Sequence, residues 1–174
     1  MTYRKTSWNL FSDWMKVLGI DPSLRSTGYA VLEGDRKSQK VLEFGLIKTR
    51  TGEPLEISLA HVAESLENIL SCHKPDILAI EDIYTAKNIR VALQLGHVRG
   101  VVIVMCRRSG LPAAQYSATR IKETVAGYGR ADKKQIQHMV TRTLNLSEEP
   151  PQDAADALAA ALTHLFWNES GGPG

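Results

Sequence analysis

Two acidic residues lie at the ends of short apolar runs, and two more lie one helical turn apart near the C-terminus. Asp21 ends the run that begins at Lys16, and Glu81 ends the run that follows Pro75. Asp153 and Asp156 are separated by two alanines. Clustered carboxylates without cysteine or histidine partners are typical ligands of hard divalent cations such as Mg²⁺. We therefore predict that these four acids form one metal-binding cluster.

The elements that would position these acids follow from the spacing of apolar residues. Alternation and β-branched residues predict strands, and recurrence at helical spacing predicts helices. Strands are predicted at 16–20, 28–32, 41–47, 77–80 and 113–116, and helices at 57–70, 91–105, 118–126, 132–144 and from Asp153 onward. Turn residues at 33–36 predict a hairpin between the second and third strands. This order is typical of an α/β domain with a mixed sheet.

The predicted positions of the acids favour a single site. Open α/β sheets bind ligands beyond the carboxyl ends of their strands, where Asp21 and Glu81 are expected. Asp153 and Asp156 would share one face of a helix, in the first turn, where helix polarity favours negative charge. A divalent cation would relieve the repulsion among four carboxylates. Two such ions ~3.5–4 Å apart could bind the attacking and leaving oxygens of a phosphoryl displacement.

Each acid also has an ordinary structural interpretation. Asp21 before Pro22 could be a turn residue. Glu81 could face solvent at a strand end, Asp153 could cap a helix, and Asp156 could only complement the helix dipole. The joint pattern, more than any single acid, favours the metal site.

Composition limits the remaining possibilities. The chain has 174 residues, 43% of them hydrophobic and 23% charged, with a net charge of +2, which fits one globular domain. Cys72 and Cys106 are too few for a disulfide framework or a zinc site, which favours a reducing cytoplasm. No apolar stretch approaches the ~18 residues of a membrane span, and the N-terminus does not resemble a signal peptide. We predict an extension at 1–14, a domain at 15–167 and a disordered tail at 168–174.

Several short motifs occur together in the order found in one known family. They are Ile20-Asp21-Pro22-Ser23, Ala79-Ile80-Glu81, Ala86-Lys87-Asn88, Gln94-Leu95-Gly96, Arg99-Gly100-Val101, Gln137-His138-Met139-Val140 and Asp153-Ala154-Ala155-Asp156-Ala157-Leu158-Ala159. In this set the chain resembles RuvC, the bacterial Holliday-junction resolvase family, and the resemblance covers residues 15–166. Ser23 replaces a frequent glycine.

The resemblance implies an RNase H-like fold with a mixed five-stranded sheet and helices on both faces. It implies a homodimer that nicks two opposed strands of a four-way DNA junction symmetrically, with Mg²⁺ or Mn²⁺, in recombination and repair. A branch-migration ATPase complex is a further implied partner. The catalytic and metal-binding acids would be Asp21, Glu81, Asp153 and Asp156, and the DNA-contacting residues Tyr84, Lys122 and Lys133. The helix at 88–106 resembles the helix that forms the family's dimer, although its apolar face could instead be intramolecular core.

Three other classes of protein share some of these features. Actin-like and sugar-kinase proteins also begin with a strand that contains an aspartate, followed by a hairpin, but they normally consist of two such domains. A non-catalytic junction-binding module would be expected to lack some of the acids. A related RNA-processing nuclease would keep the acids but not the full order of motifs.

Overall fold

The computed structural model describes residues 14–82 and 89–167. The strands are β1 (Met15–Asp21), β2 (Ser26–Gly34), β3 (Gln39–Lys48), β4 (Ile77–Glu81) and β5 (Ala113–Tyr116). The helices are α1 (Leu55–His73), α2 (Ile89–Arg108), α3 (Ala118–Ala126), α4 (Lys133–Thr143) and α5 (Gln152–Trp167). Each predicted strand and helix is present, and α2 extends beyond the predicted range at both ends.

The five strands form one mixed sheet in the order β3-β2-β1-β4-β5. β1, β2 and β3 are antiparallel neighbours, as the predicted hairpin requires, whereas β4 lies parallel to both β1 and β5. The chain therefore opens with a meander and continues with parallel strands joined by helical crossovers. This arrangement brings the carboxyl ends of β1 and β4 to the same edge of the sheet.

Helices cover both faces of the sheet, so the domain has two core layers. Alternate residues of β1 and β4 point to opposite faces. On one face, Leu18 and Leu78 pack with α1 and α2. On the other, Val17 and Ala79 pack with α3, α4 and α5. The continuous apolar character of β4 follows from burial on both faces.

The helix α5 lies unusually close to the sheet because two glycines face it. A Cβ atom on Gly19 of β1 would lie 2.0 Å from the carbonyl oxygen of Ala157, and one on Gly28 of β2 would lie 1.9 Å from that of Asp153. Glycine within a strand commonly marks such a close backbone approach. Small residues on α5 complete the contact, and Ala154 and Ala161 are fully buried.

One helix in the described part of the chain, α2, is long and apolar enough to cross a membrane by length and composition. The prediction that no such segment exists was wrong on that criterion. A single helix of this kind is weak evidence for a membrane span, and α2 packs against α1 with Val98, Val102 and Cys106 buried.

Candidate active site

The two strand-end acids lie on neighbouring strands. β1 and β4 are parallel, and Ile20 is the register partner of Ile80. Asp21 and Glu81, the next residues of the two strands, therefore lie at the same edge of the sheet. Both residues alternate onto the face that carries α5, because Gly19 and Ala79 precede them by two positions. β1 and β4 are neighbours in the sheet, which is the arrangement that a single site for Asp21 and Glu81 requires.

The N-terminus of α5 brings the other two acids to this edge. Gly28 is the register partner of Asp21 and admits the backbone of Asp153 against the sheet. Asp153 and Asp156 lie in the first turns of α5, which begins at Gln152. The close approach at Gly28 therefore places the helical acids next to the strand that carries Asp21.

A cavity of about 440 Å³ opens at this edge of the sheet. Three of the four predicted acids line it, together with both predicted basic residues. The lining residues are Asp21, Pro22, Glu81, Asp82, Leu95, Ala118, Ile121, Lys122, Lys133, Ile136 and Asp156. Asp153 does not line the cavity, but its charge acts on Asp21. The cavity thus combines clustered negative charge with two flanking cations.

Among these acids, Asp21 has the most strongly perturbed pKa. Burial, followed by the charges of Asp156 and Asp153, raises the pKa of Asp21 from 3.8 to about 7, with a smaller contribution from Glu81. Lys133 acts in the opposite direction. A carboxyl group held in such surroundings is stabilised by a nearby cation, which favours its ionised form.

The pKa of Glu81 is also raised. Burial is the largest cause of the raised pKa of Glu81, and the charge of Asp156 adds to it. Lys133, Lys122 and Arg99 oppose this increase. The two strand-end acids therefore both lie where negative charge is costly unless a cation compensates it.

Lys133 supplies part of that compensation. Its Nζ donates to Oδ2 of Asp156 at 3.1 Å, and the lysine side chain is 68% exposed whereas the aspartate is 19% exposed. Burial alone would lower the pKa of Lys133, but Asp156, together with Asp21 and Asp153, raises it. Lys133 is therefore a firmly protonated cation at the mouth of the cavity.

Helix caps place the two lysines. The Ser117 hydroxyl accepts from the Arg120 N–H at 3.2 Å and begins α3, which carries Lys122. Asp132 and Gln135 form a reciprocal capping box that begins α4 at Lys133. Such caps typically contribute ~1 kcal/mol.

The turn after Asp21 is fixed by a buried side chain. The Thr27 hydroxyl donates to the Ser23 carbonyl at 2.6 Å, and the Ser23 N–H donates to the Thr27 hydroxyl at 3.3 Å. Thr27 is fully buried. Ser23, which replaces a glycine common in the resembled family, is thus accommodated in a closed turn.

The donor chemistry suits a hard divalent cation, although the side chains are not arranged as a finished ligand set. Within residues 14–82 and 89–167, no three side chains of His, Cys, Asp or Glu are grouped tightly enough to hold an ion. Repulsion among the acids and the Lys133–Asp156 contact both favour separated carboxylates. Asp21, Glu81 and Asp156 nevertheless line one cavity.

Some site residues were not anticipated from the sequence, and one predicted residue is not covered. Asp82 lines the cavity and pairs with Arg99, although strict alternation along β4 would point its side chain to the face opposite that of Glu81. The positioning glycines Gly19 and Gly28 were also missed; a glycine inside an otherwise apolar strand was the available signal. Tyr84 lies outside the described residues.

Comparison with known proteins gives the family. The family model described as crossover junction endodeoxyribonuclease RuvC matches residues 17–164. The chain belongs to the RuvC family. Among its relatives, crossover junction endodeoxyribonuclease RuvC of Caldicellulosiruptor saccharolyticus is 42% identical over 158 residues, covering 90% of this chain and 95% of the relative. RuvC of Shewanella sp. strain MR-4 is 44% identical over 154 residues, covering 88% of each.

Solved structures agree with this assignment to the RuvC family. T. thermophilus RuvC in complex with Holliday junction substrate superposes with a TM-score of 0.86 at 31% identity, covering 90% of this chain and 96% of that one. The yeast mitochondrial Holliday junction resolvase Ydc2 shares the fold, with a TM-score of 0.62 at 13% identity over 88% of this chain and 80% of its own.

The predicted family, the RNase H-like fold and the enzyme class are confirmed. The chain is an endonuclease of the type that acts at crossover junctions, and nucleases of this family are metal-dependent. This assignment disfavours the ATP-binding, non-catalytic and RNA-processing alternatives. The predicted boundaries at residues 14 and 167 stay predictions.

Proposed function

We propose that Asp21, Glu81, Asp153 and Asp156 hold two Mg²⁺ ions, or Mn²⁺ in their place, and that this site nicks two opposed strands of a four-way DNA junction. When bound, the ions would supply Lewis-acid activation of water and stabilisation of the leaving 3′ oxygen. The four carboxylates would bind and orient the ions. Lys122 and Lys133 would attract the phosphates on either side of the scissile bond.

The observation that carries this proposal is the burial of Asp21 among other acids. A pKa of about 7 means that the empty arrangement destabilises the Asp21 carboxylate, which is expected of a group that functions with a cation bound. A purely structural turn residue at this position would be expected to face solvent or to accept backbone hydrogen bonds. The flanking lysines fit a polyanionic substrate.

Four-way junction DNA is the substrate that the family relationship supports. Contacts from lysines to phosphates would fix the register of the DNA without reading its sequence. Tyr84, to which the family resemblance assigns a junction contact, would stack on an exposed base, a contact worth ~1–3 kcal/mol in single-strand binders. We keep the branch-migration ATPase complex as a proposed partner.

The outer face of α2 supports the proposed homodimer. Ile89, Leu93 and Val104 are exposed there, on the side opposite the buried stripe that contacts α1. Gly96 and Gly100 occupy the same face, and added Cβ atoms on either would meet nothing within 4 Å. Two small residues four apart allow a second helix to approach closely, and a two-fold pair would present two equal sites to two equivalent strands. Sedimentation that found only monomer at micromolar concentrations would contradict the dimer.

The test of the proposed function is cleavage of a labelled synthetic four-way junction. With Mg²⁺, we expect paired nicks at symmetric positions in two opposed strands, and with chelator we expect binding without nicks. Linear duplex of the same sequence and structured RNA are the controls. Equal cleavage of duplex, or cleavage in chelator, would overturn the proposal.

Lys133→Gln is expected to weaken junction binding ~3–10-fold at moderate salt and to reduce the salt dependence, because one phosphate contact is lost. Lys134→Gln is the matched control, since Lys134 is the next residue of α4, has the same charge and does not line the cavity. Binding would be measured by anisotropy over a salt series in chelator. Equal effects of the two substitutions would contradict a specific role for Lys133.

A further inference from the structure

Arg99 connects α2 to the edge of the sheet that carries the site. Its guanidinium donates from Nη1 to the backbone carbonyl of Glu81 and from Nη2 to Oε1 of Gln115 at 2.7 Å. The same Nη2 lies 3.6 Å from Oδ1 of Asp82. One side chain therefore contacts the ends of both β4 and β5.

The surroundings of Arg99 distinguish these contacts from a surface ion pair. The Arg99 side chain is only 11% exposed, whereas that of its acidic partner Asp82 is 52% exposed. The Glu81 carbonyl lies at the last residue of β4, where the regular ladder ends. After that point the Asp82 N–H donates to the Tyr116 carbonyl at 2.7 Å. A partly buried carbonyl at a strand end is stabilised by a hydrogen-bond donor, and Arg99 supplies one.

We propose that Arg99 is a positioning residue that fixes the backbone of Glu81, and hence the direction of its carboxylate, through hydrogen bonds from α2. The proposal rests on the metal-binding role proposed for Glu81. The guanidinium is planar and presents several N–H groups in a fixed geometry, so it can hold two acceptors on two strands at once. A lysine ammonium would keep the charge but not this pair of contacts.

The same residue links the site to the opposite side of α2. Leu95 lines the cavity and Arg99 contacts the ends of β4 and β5, while Gly96 and Gly100 lie on the exposed face of α2. A change in the position of α2 would therefore reach the backbone of Glu81 through the hydrogen bonds of Arg99. Partners outside the set of direct ligands commonly contribute ~10–100-fold to metal affinity or activity.

The experiment compares Arg99→Met and Arg99→Lys with the parent protein. Three quantities are measured: binding of Mn²⁺ without DNA by calorimetry, junction affinity in chelator, and the single-turnover cleavage rate at saturating enzyme. We expect both substitutions to weaken Mn²⁺ binding and slow cleavage by ~10–100-fold. Junction affinity should change by less than about threefold, because Arg99 is engaged with protein acceptors. Arg108→Met, which removes the same charge from an exposed position of α2, is the control and should leave all three unchanged.

Parental Mn²⁺ binding and cleavage in Arg99→Lys would overturn the proposal, because charge alone would then suffice. A loss confined to junction affinity would also overturn it and would mark Arg99 as a DNA contact. If Arg99→Met does not fold, Arg99→Lys alone decides. Glu81→Gln is measured in parallel: parental cleavage by that variant would refute the proposed role of Glu81, whereas inactive Glu81→Gln with parental Arg99 variants would refute only the positioning role.

Discussion

Asp21→Asn is expected to abolish junction cleavage while junction binding in chelator stays within about threefold of the parent. Loss of an outer partner of a metal site already costs ~10–100-fold, and Asp21 is proposed as a direct ligand, so a larger loss is expected. Asparagine keeps the shape and the local hydrogen-bonding capacity but removes the charge. Single-turnover cleavage and anisotropy on the same junction measure the two effects. Parental cleavage by Asp21→Asn would remove Asp21 from the site.

The same substitution should change how stability depends on pH in metal-free buffer. The pKa of Asp21 is about 7 in the folded protein and 3.8 ordinarily, so the folded state holds this proton more tightly than the unfolded state. The contribution of Asp21 to the free energy of unfolding is therefore fully present below pH ~4. This contribution, on the order of 4 kcal/mol, is lost as the pH rises to about 7.

Asparagine does not titrate, so the variant should lose less stability than the parent between those pH values. Denaturant unfolding with chelator, at several pH values from about 4 to 8, gives the difference between the two proteins. Adding divalent metal should remove most of the loss in the parent, because a ligand that binds only the folded state stabilises it. Parallel pH curves for the two proteins would contradict the perturbed pKa of Asp21.

Gly19→Ala is expected to be among the most damaging single substitutions in the domain. Its Cβ would lie 2.0 Å from the Ala157 carbonyl oxygen and 3.0 Å from the Ala161 side chain. The obstacle is helix backbone, so α5 must move away from β1. Overpacking of this kind costs ~1–3 kcal/mol or more, which corresponds to a decrease in Tm of roughly 3–10 °C for a domain of this size. The variant should also bind Mn²⁺ more weakly where it is folded, because Asp153 and Asp156 move with α5.

Ile20→Val is the matched control for Gly19→Ala. Ile20 is the next residue of β1 and is equally buried, but it faces α1 and α2. We expect a loss of ~0.5–1.5 kcal/mol and parental affinity for Mn²⁺. Thermal unfolding and calorimetry compare the two variants. If Gly19→Ala were as stable as the parent, the close contact between α5 and the sheet would not exist in solution.

The location of the site was predictable from local signals. Apolar runs ending in acids identified the strand ends, and the break at Pro150-Pro151 followed by Asp153 and Asp156 identified the start of α5. Turn residues and helix caps act over a few positions, so sequence patterns report them well. Local signals do not show that β1 and β4 are neighbours. That inference depends on the general expectation that ligands bind at one edge of an open sheet.

The residues that position the site were not predictable in the same way. Gly19 and Gly28 matter because α5, more than a hundred residues later in the chain, passes over them. Arg99 was one cation among several in a basic region, and only the packing of α2 shows which acceptors it meets. Both roles arise from tertiary contacts between distant segments, and a reading of local pattern contains no information about such contacts.

The burial of α5 has a consequence for how this enzyme can fail. Eleven of its residues, from Ala154 to Leu165, are buried, and the helix contacts the central strands of the sheet. The amide hydrogens in the buried interior of α5 should therefore exchange most slowly with solvent, at rates set by global unfolding, and Asp153 and Asp156 are held by the turn that begins this helix. Fraying of the periphery would leave the aspartate pair in place, and heat inactivation should coincide with loss of the whole fold.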